Sequence, residues 1–225
     1  MFNIMNKRKL FLFYFEPYIA IIGIAEKKGC HKEISQSLER YNKKYSKDFV
    51  KPMKMIHEDE FHGLLNCGSH LMEILMGLEE EIYPLKIIWG IGIGKSSHTL
   101  SQTALWEADN KAFKNAWTAI EYLKEKNMKS ATARSNYHII CDGDNEAVTS
   151  VLNMSFMLLT SMKQRWSRRQ HEIIKDYMEF HDGQTACAKR LGITQSSVQK
   201  GLANADFYTY DEVIKHFSEA FEQIH

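Results

Sequence analysis

The residues of this sequence that could hold a metal ion lie in a short acidic segment, His57-Glu58-Asp59-Glu60-Phe61. It separates two stretches with the composition of strands, 50–57 and 61–66, which places the acids at a hairpin turn. Carboxylates from two neighbouring strands can hold a divalent cation over a phosphate. The first predicted strand, however, ends Gly23-Ile24-Ala25, so an isoleucine occupies the position that needs the second acid. Glu26 is the nearest substitute.

We therefore weigh two interpretations of Asp59, Glu60 and Glu26. The favoured one is a solvated acidic turn, and the alternative is a degenerate nucleotide or metal site. We predict no bound metal, no other cofactor and no enzyme activity, because the pair of acids is broken at Ile24.

A second candidate is the segment 90–95, Gly-Ile-Gly-Ile-Gly-Lys, whose glycines permit close approach of a phosphate. It is not a P-loop, because Trp89 stands where the first glycine of that motif is required. Glycines inside a strand more often mark a bulge or a packing contact, and we favour that interpretation.

The stretch 184–203, QTACAKRLGITQSSVQKGLA, has the residue spacing of a helix-turn-helix. Ala188 is small where two helices must touch, Gly192 supplies a turn residue that tolerates positive φ, and Val198 faces back into the pair. Thr194 is a good N-cap for the second helix. The side chains that this helix presents are of the types that contact base edges and phosphates in a major groove, and they are Gln195, Ser196, Gln199 and Lys200.

The net charge of +1 gives no global attraction to nucleic acid, but the charge is unevenly distributed. Residues 161–204 hold eight Lys or Arg against four acids, whereas residues 205–225 hold one Lys against five acids. We predict that this basic region binds duplex DNA, largely through phosphates. The predicted contributors are Lys163, Arg165, Arg168, Arg169, Lys175, Lys189, Arg190 and Lys200. The alternative is a helical hairpin that only packs, and Gly201 inside the second helix counts against strong binding.

Hydrophobic periodicity predicts the elements that position these candidates. Strands are predicted at 18–24, 50–57, 61–66, 85–93 and 137–141, and helices at 34–45, 69–82, 110–126 and 145–163. The order of the first six is that of the ferredoxin-like, split βαβ fold, an antiparallel sheet with helices on one face. We predict an α+β chain with a ferredoxin-like domain at 1–160 and an all-α helix-turn-helix domain at 161–225.

The end of the chain carries a further amphipathic helix. Thr209 and Glu212 have the spacing of a capping box that would start this helix at Tyr210. Its apolar stripe consists of Val213, Ile214, Phe217, Phe221 and Ile224. The stripe could form a homodimer, which we slightly favour, or cover the same chain. Two groups of methionines have helical spacing and are predicted to lie in the core. The first group is Met72 and Met76, and the second is Met154, Met157 and Met162.

Cysteine usage and hydropathy favour a cytoplasmic protein without a membrane partner. Its four cysteines lie far apart without a Cys-x-x-Cys pair, which predicts free thiols. The segment Lys7-Arg8-Lys9 followed by LFLFYF imitates the start of a signal peptide, but Glu16 and Pro17 interrupt the apolar run. No stretch reaches the roughly 18 apolar residues of a membrane helix.

Taken together, several of these motifs resemble the SatD family of bacterial proteins. The matching segments are YIAIIG at 18–23, Tyr41-Asn42, Asp59-Glu60-Phe61, Gly63-Leu64-Leu65, WGIGIG at 89–94, and WSRRQ through to the helix-turn-helix. The resemblance implies a first domain similar to the palm of GGDEF and class III cyclase domains, followed by a DNA-binding-like module. In the usual pattern an aspartate, a glycine and a glutamine stand where this sequence has Ile24, Glu58 and His62.

The family resemblance carries no firm biochemical activity. We predict a DNA-binding regulatory protein whose palm-like domain senses a small-molecule or nucleotide effector or mediates assembly. The alternatives are a nucleotide-binding or nucleotidyl-transfer enzyme of the palm type, and a scaffold in which the helix-turn-helix only packs. The broken acid pair at Ile24 ranks the enzyme below the regulator.

Overall fold

The structure is a computed structural model that describes residues 10–27, 29–95, 110–129 and 134–225. Within these ranges, strands and helices alternate first and helices alone follow. The strands are β1 (Tyr18–Ala25), β2 (Phe49–Met55), β3 (Glu60–Leu65), β4 (Ile87–Gly94) and β5 (Tyr137–Cys141). The helices are α1 (His31–Lys44), α2 (Leu71–Ile82), α3 (Lys111–Lys129), α4 (Glu146–Lys163), α5 (Arg168–Phe180), α6 (Gln184–Leu191), α7 (Gln195–Asn204) and α8 (Phe207–Phe221).

The described strands form one sheet in the order β2-β3-β1-β4-β5. The chain is α+β, as predicted, but the prediction of a wholly antiparallel sheet is wrong. β5 runs parallel to β4, with Trp89 opposite Tyr137, while the other three pairs are antiparallel. The chain between β4 and β5 includes α3, and a crossover of this kind returns the chain in the same direction.

The helices cover both faces of the sheet, which corrects the prediction of helices on one face. Side chains alternate along β1, so Ile19 and Ile21 join the large core with α1 and α2. Ala20 and Ile22 point to the opposite face and pack against α3. Both sets are buried, which explains why β1 is apolar along nearly its whole length instead of alternating.

The glycines of β4 are packing contacts. A Cβ on Gly90 or Gly92 would overlap the backbone of α3 at Ala112 and Ala116. Glycine at these positions therefore lets α3 lie close to the sheet. This is the packing contact that the sequence analysis favoured over a phosphate site.

The start of α8 differs from the prediction. The helix begins at Phe207, and its N-cap, Asp206, has φ 51° and makes no side-chain cap. Thr209 therefore lies inside the helix, and the predicted capping box is wrong. A capping box does exist at the start of α5, where Ser167 and Gln170 bond reciprocally. The sequence analysis did not separate α5 from the helix-turn-helix.

The apolar stripe of α8 is buried within its own chain. Phe217 stacks on Phe156 of α4 with ring centroids 4.5 Å apart, and Phe221 stacks on Phe11 at 6.3 Å. Ile214 and Ile224 are also buried. The slightly favoured use of this stripe for a homodimer is therefore wrong, because its large side chains already have partners.

The large core continues from the sheet into the C-terminal helices. Met76 of α2, Phe156 of α4, Val198 of α7 and Tyr210 of α8 belong to one buried cluster. The domain boundary after residue 160 stays a prediction, but it crosses this cluster. Within the described ranges, no helix combines the length and apolar character that crossing a membrane requires.

We predict that the same substitution has a large effect at one glycine and almost none at another. Gly92→Ala should lower the free energy of unfolding by about 1–3 kcal/mol, because the added Cβ meets the backbone of α3, which cannot yield. Gly201→Ala should be nearly neutral, because its Cβ meets only the end of the Ile173 side chain and alanine favours the helix. Urea denaturation of both variants measures the difference, and equal effects would contradict this packing.

Candidate nucleic-acid interface

α6 and α7 form the predicted helix-turn-helix. Gly192 ends α6 with φ 63°, the left-handed conformation that glycine adopts without strain. Thr194 caps α7, and its side-chain oxygen accepts a hydrogen bond from the Ser197 backbone N–H at 3.1 Å. The turn residues therefore set the angle between the two helices, as the sequence predicted.

The inward positions of this pair are also as predicted. Ala188, Val198 and Leu202 are buried, and Leu191 and Ile193 are partly buried against them. Gly201 of α7 faces Ile173 of α5, whose side-chain end lies 2.6 Å from the position of an added Cβ. α5 is therefore the third helix of the module and lies against α7.

The face of α7 that is predicted to contact base edges and phosphates is exposed to solvent. Gln195, Ser196, Gln199 and Lys200 are all exposed, and Ala203 continues the same face one turn later. Within the described residues, no element covers this face. Amides, a hydroxyl and an ammonium group are therefore available on one side of a capped helix.

Two hydrogen bonds that the sequence analysis missed hold the first turn of α7. Gln195 Nε2 donates to Gln184 Oε1 at 2.6 Å, and Gln184 Nε2 donates to the Tyr208 hydroxyl at 2.8 Å. The three side chains thus connect the starts of α6, α7 and α8. Their spacing in sequence is irregular, so no local pattern could have linked them.

Arg190, a predicted phosphate contact, already has strong partners. Its guanidinium bonds to Asp176 at 2.8 Å and to Asp182 at 2.5 Å, and it stacks on the Phe180 ring at 4.0 Å. Arg190 lowers the pKa of both carboxyl groups by hydrogen bonding. This arginine joins α5 to α6, and a phosphate would have to displace two carboxylates to reach it.

Most other predicted cations remain at the surface. Arg168 and Arg169 are exposed and both lie beside Glu172, the latter at 2.6 Å. Lys189 and Lys200 are exposed and have no ion pair among the described residues. The accessible positive charge is therefore smaller than the sequence count suggested.

The acidic hairpin differs from the predicted solvated turn in one respect. Asp59 lies at the turn, and its carbonyl accepts a hydrogen bond from the Ala25 N–H at 2.8 Å. Glu60 instead begins β3 opposite Ile24 and is buried, with Oε1 2.7 Å from His62 Nε2. The carboxylate that could have held a cation is thus paired with a histidine.

Glu26 is the predicted substitute for the second acid of this hairpin. It is exposed just after β1, and its backbone N–H donates to the Lys86 carbonyl at 2.9 Å. Within the described residues, no group of three or more His, Cys, Asp or Glu side chains is arranged to hold a metal ion.

A cavity of about 410 Å³ lies along the outer edge of β5, between α3 and α4. Its lining includes Tyr122, His138, Cys141, Asn153 and Met157. Burial lowers the pKa of His138 to about 4 and raises the pKa of Cys141 to about 12, so both side chains are neutral near pH 7. The cavity therefore offers rings, thioethers and amides, and Lys126 and Glu146 add one charge of each sign to its lining.

A scan against protein-family models matches residues 18–215 to the SatD family. The chain belongs to the SatD family. The match includes the sheet, the acidic hairpin, the helix-turn-helix and half of α8. No curated protein matches this sequence.

The structure contradicts the prediction that Lys163 of this SatD-family chain contacts a phosphate. It lies at the end of α4 and is buried, with Nζ 2.5 Å from Glu79 Oε2 and 3.1 Å from Glu80 Oε1. Burial alone would lower the pKa of Lys163, but Glu79 and its neighbours raise it well above its usual value. The side chain is a buried cation and cannot contact DNA.

Polar groups from five elements complete this buried cluster. Trp89 Nε1 and the Tyr137 hydroxyl donate to Glu79 at 2.7 and 2.5 Å, and His171 Nδ1 lies 3.0 Å from Glu80 Oε2. Although burial raises the pKa of Glu80, Lys163 and His171 lower it below its usual value. The cluster joins α2, β4 and β5 to α4 and α5, and so connects the sheet to the helix-turn-helix.

We predict that Lys163→Met lowers the free energy of unfolding by about 3–5 kcal/mol, because it leaves two buried carboxylates without their cation. Adding Glu79→Gln and Glu80→Gln should recover most of this loss. Lys215→Met is the matched control on α8, where the solvent-exposed pair with Asp211 should contribute far less to stability. Chemical denaturation measures all three, and a small effect of Lys163→Met alone would contradict the burial of this charge.

Proposed function

We propose that this SatD-family chain is a regulatory protein that binds duplex DNA, with α7 in the major groove. The observation that carries the proposal is the open face of α7 behind the Thr194 cap, with Gln195, Gln199 and Lys200 exposed. A single carboxamide can bond both polar groups on the major-groove edge of adenine, and an ammonium group can bond guanine or phosphate.

The contacts around Gln184 support the same proposal. A side chain that reads a base has to be held in one orientation, since each freely rotating side chain costs entropy on binding. Gln184 holds Gln195 at 2.6 Å and is itself held by Tyr208 at 2.8 Å. We propose that this arrangement presents the Gln195 amide to the DNA.

The expected affinity is moderate, because few cations are available. Lys163 is buried and Arg190 bonds two carboxylates, which leaves six of the predicted cations exposed, Arg165, Arg168, Arg169, Lys175, Lys189 and Lys200. Arg168 and Arg169 both pair with Glu172, so we expect three or four phosphate contacts. With three or four phosphates neutralised by each copy of the chain, the slope of log K against log salt should be about −3 per bound copy.

We further propose that the sheet is a degenerate palm-like domain that senses an effector or mediates assembly. Its first four strands have the order β2-β3-β1-β4, which is the order of the ferredoxin-like, split βαβ fold. The similarity to GGDEF and cyclase palms rests on this order and on the hairpin Asp59-Glu60-Phe61. The cavity beside β5 supports an effector with an aromatic or apolar group.

The DNA-binding proposal predicts different effects on DNA affinity for two variants of α7. Lys200→Met should weaken binding to every duplex by a similar factor and reduce the salt slope by about 1, because one phosphate contact is lost. Gln199→Ala should change the ranking of sequences, because it removes a base contact. Fluorescence anisotropy with genomic fragments at two salt concentrations measures both.

Lys215→Met serves as the control for these variants, since Lys215 lies on α8 and pairs with Asp211. Its binding curve should match that of the unchanged protein. Binding that does not depend on salt, or binding that both Lys200→Met and Gln199→Ala leave unchanged, would remove α7 from the interface. An absence of binding would favour the scaffold alternative.

The sheet is also proposed not to catalyse nucleotidyl transfer, because Ile24 replaces one acid and Glu60 is bonded to His62. Incubation with nucleoside triphosphates and Mg²⁺ or Mn²⁺ should give neither cyclised nor condensed product by liquid chromatography. Turnover that Asp59→Ala abolishes would establish the enzyme alternative instead.

A further inference from the structure

One face of α4 is apolar and exposed. Val151, Met154 and Leu158 are 57%, 53% and 62% exposed, so the prediction that Met154 belongs to the core is wrong. Ala147 and Ser161 extend the same exposed face by one turn at each end. These five positions define the α4 seam, and within the described residues no element covers it.

The spacing of the α4 seam is that of a helix–helix contact. Its positions follow one another at intervals of four, three, four and three residues, which is the heptad repeat of paired helices. No charged residue occurs from Ala147 to Met162. A solvated helix face normally carries charged or polar side chains, so this composition indicates a face that another helix covers.

An additional β-strand is a poor occupant of this region, because side chains already bond the outer edge of β5. Asn153 accepts from the Ile139 N–H at 2.8 Å and donates to the Ile139 carbonyl at 2.9 Å. Ser135 bonds both backbone groups of Tyr137 in the same way. A partner therefore contacts the side chains of α4 and does not extend the sheet.

Two copies of the α4 seam are complementary to each other when their helices pack antiparallel. Its ends are small, Ala147 and Ser161, and its centre is large, so an antiparallel copy places small residues against small ones. Glu146 lies exposed at one end and Arg165 at the other. In an antiparallel pair each glutamate approaches the arginine of the partner, and the helix dipoles also oppose favourably.

We propose that the α4 seam binds the α4 seam of a second copy of this chain, antiparallel about a twofold axis that passes beside Met154. The proposal does not depend on DNA binding. It assigns the homodimer to a surface different from the stripe of α8, which its own chain covers.

Sedimentation velocity of the full chain at tens of micromolar tests this proposal. The unchanged protein should be a dimer, and Met154→Glu should weaken its association on the order of 100-fold, because two carboxylates meet near the axis. Met128→Glu is the matched control, since Met128 is 88% exposed on α3 and lies outside the seam. Both variants should keep the circular dichroism of the unchanged protein, because both positions are exposed.

The orientation of the pair is tested at its ends. Glu146→Lys should weaken the dimer a few-fold, and the further change Arg165→Glu should restore it, because the two charges are then exchanged. A parallel pair would bring the two Glu146 side chains together, so an unchanged or tighter dimer would contradict the antiparallel arrangement. A monomer at tens of micromolar, or a dimer that Met154→Glu leaves intact, overturns the proposal.

Discussion

The buried ion pair between Lys163 and the two carboxylates of Glu79 and Glu80 constrains how the two parts of the chain fit together. Each of these charges would cost several kcal/mol if it were buried alone, so the cluster is tolerable only when α2 and α4 are both in place. His171 of α5 also lies 3.0 Å from Glu80, so α5 must be in place as well for this carboxylate to keep its partners. α5 in turn packs on α7 through Ile173 and Gly201. The helix-turn-helix is therefore held in a fixed orientation to the sheet by directional contacts, which apolar packing alone would not specify.

The elements of this fold were largely predictable because their signals are local. β5 lies at 137–141 as predicted, since a short β-branched run is bounded by polar residues. The turn at Gly192 and the cap at Thr194 were predictable for the same reason. The parallel pairing of β4 and β5, and the packing of α3 on the second face, depend on long-range contacts. No local periodicity carries that information.

In the candidate interface, too, the local features were predictable and the long-range contacts were not. The outward side chains of α7 follow from helix geometry, and all four predicted ones are exposed. The availability of charge could not be counted from the sequence, because Lys163 meets acids that lie more than eighty residues earlier. Arg190 is an intermediate case. Its partners Asp176 and Asp182 are 14 and 8 residues away, so a bridge across a helical hairpin could have been considered.

The modest charge of α7 and the self-complementary face of α4 have a joint physical consequence. With few phosphate contacts, one copy of the proposed DNA-binding face would hold its half-site only weakly. Two copies joined through α4 would convert the second contact into an intramolecular one, and affinity would then rise without additional charge. The rigid junction at Lys163 matters here, because a fixed orientation of α7 also fixes the distance between the two half-sites. Sequence discrimination would then depend on the spacing of the half-sites as much as on the side chains of each helix.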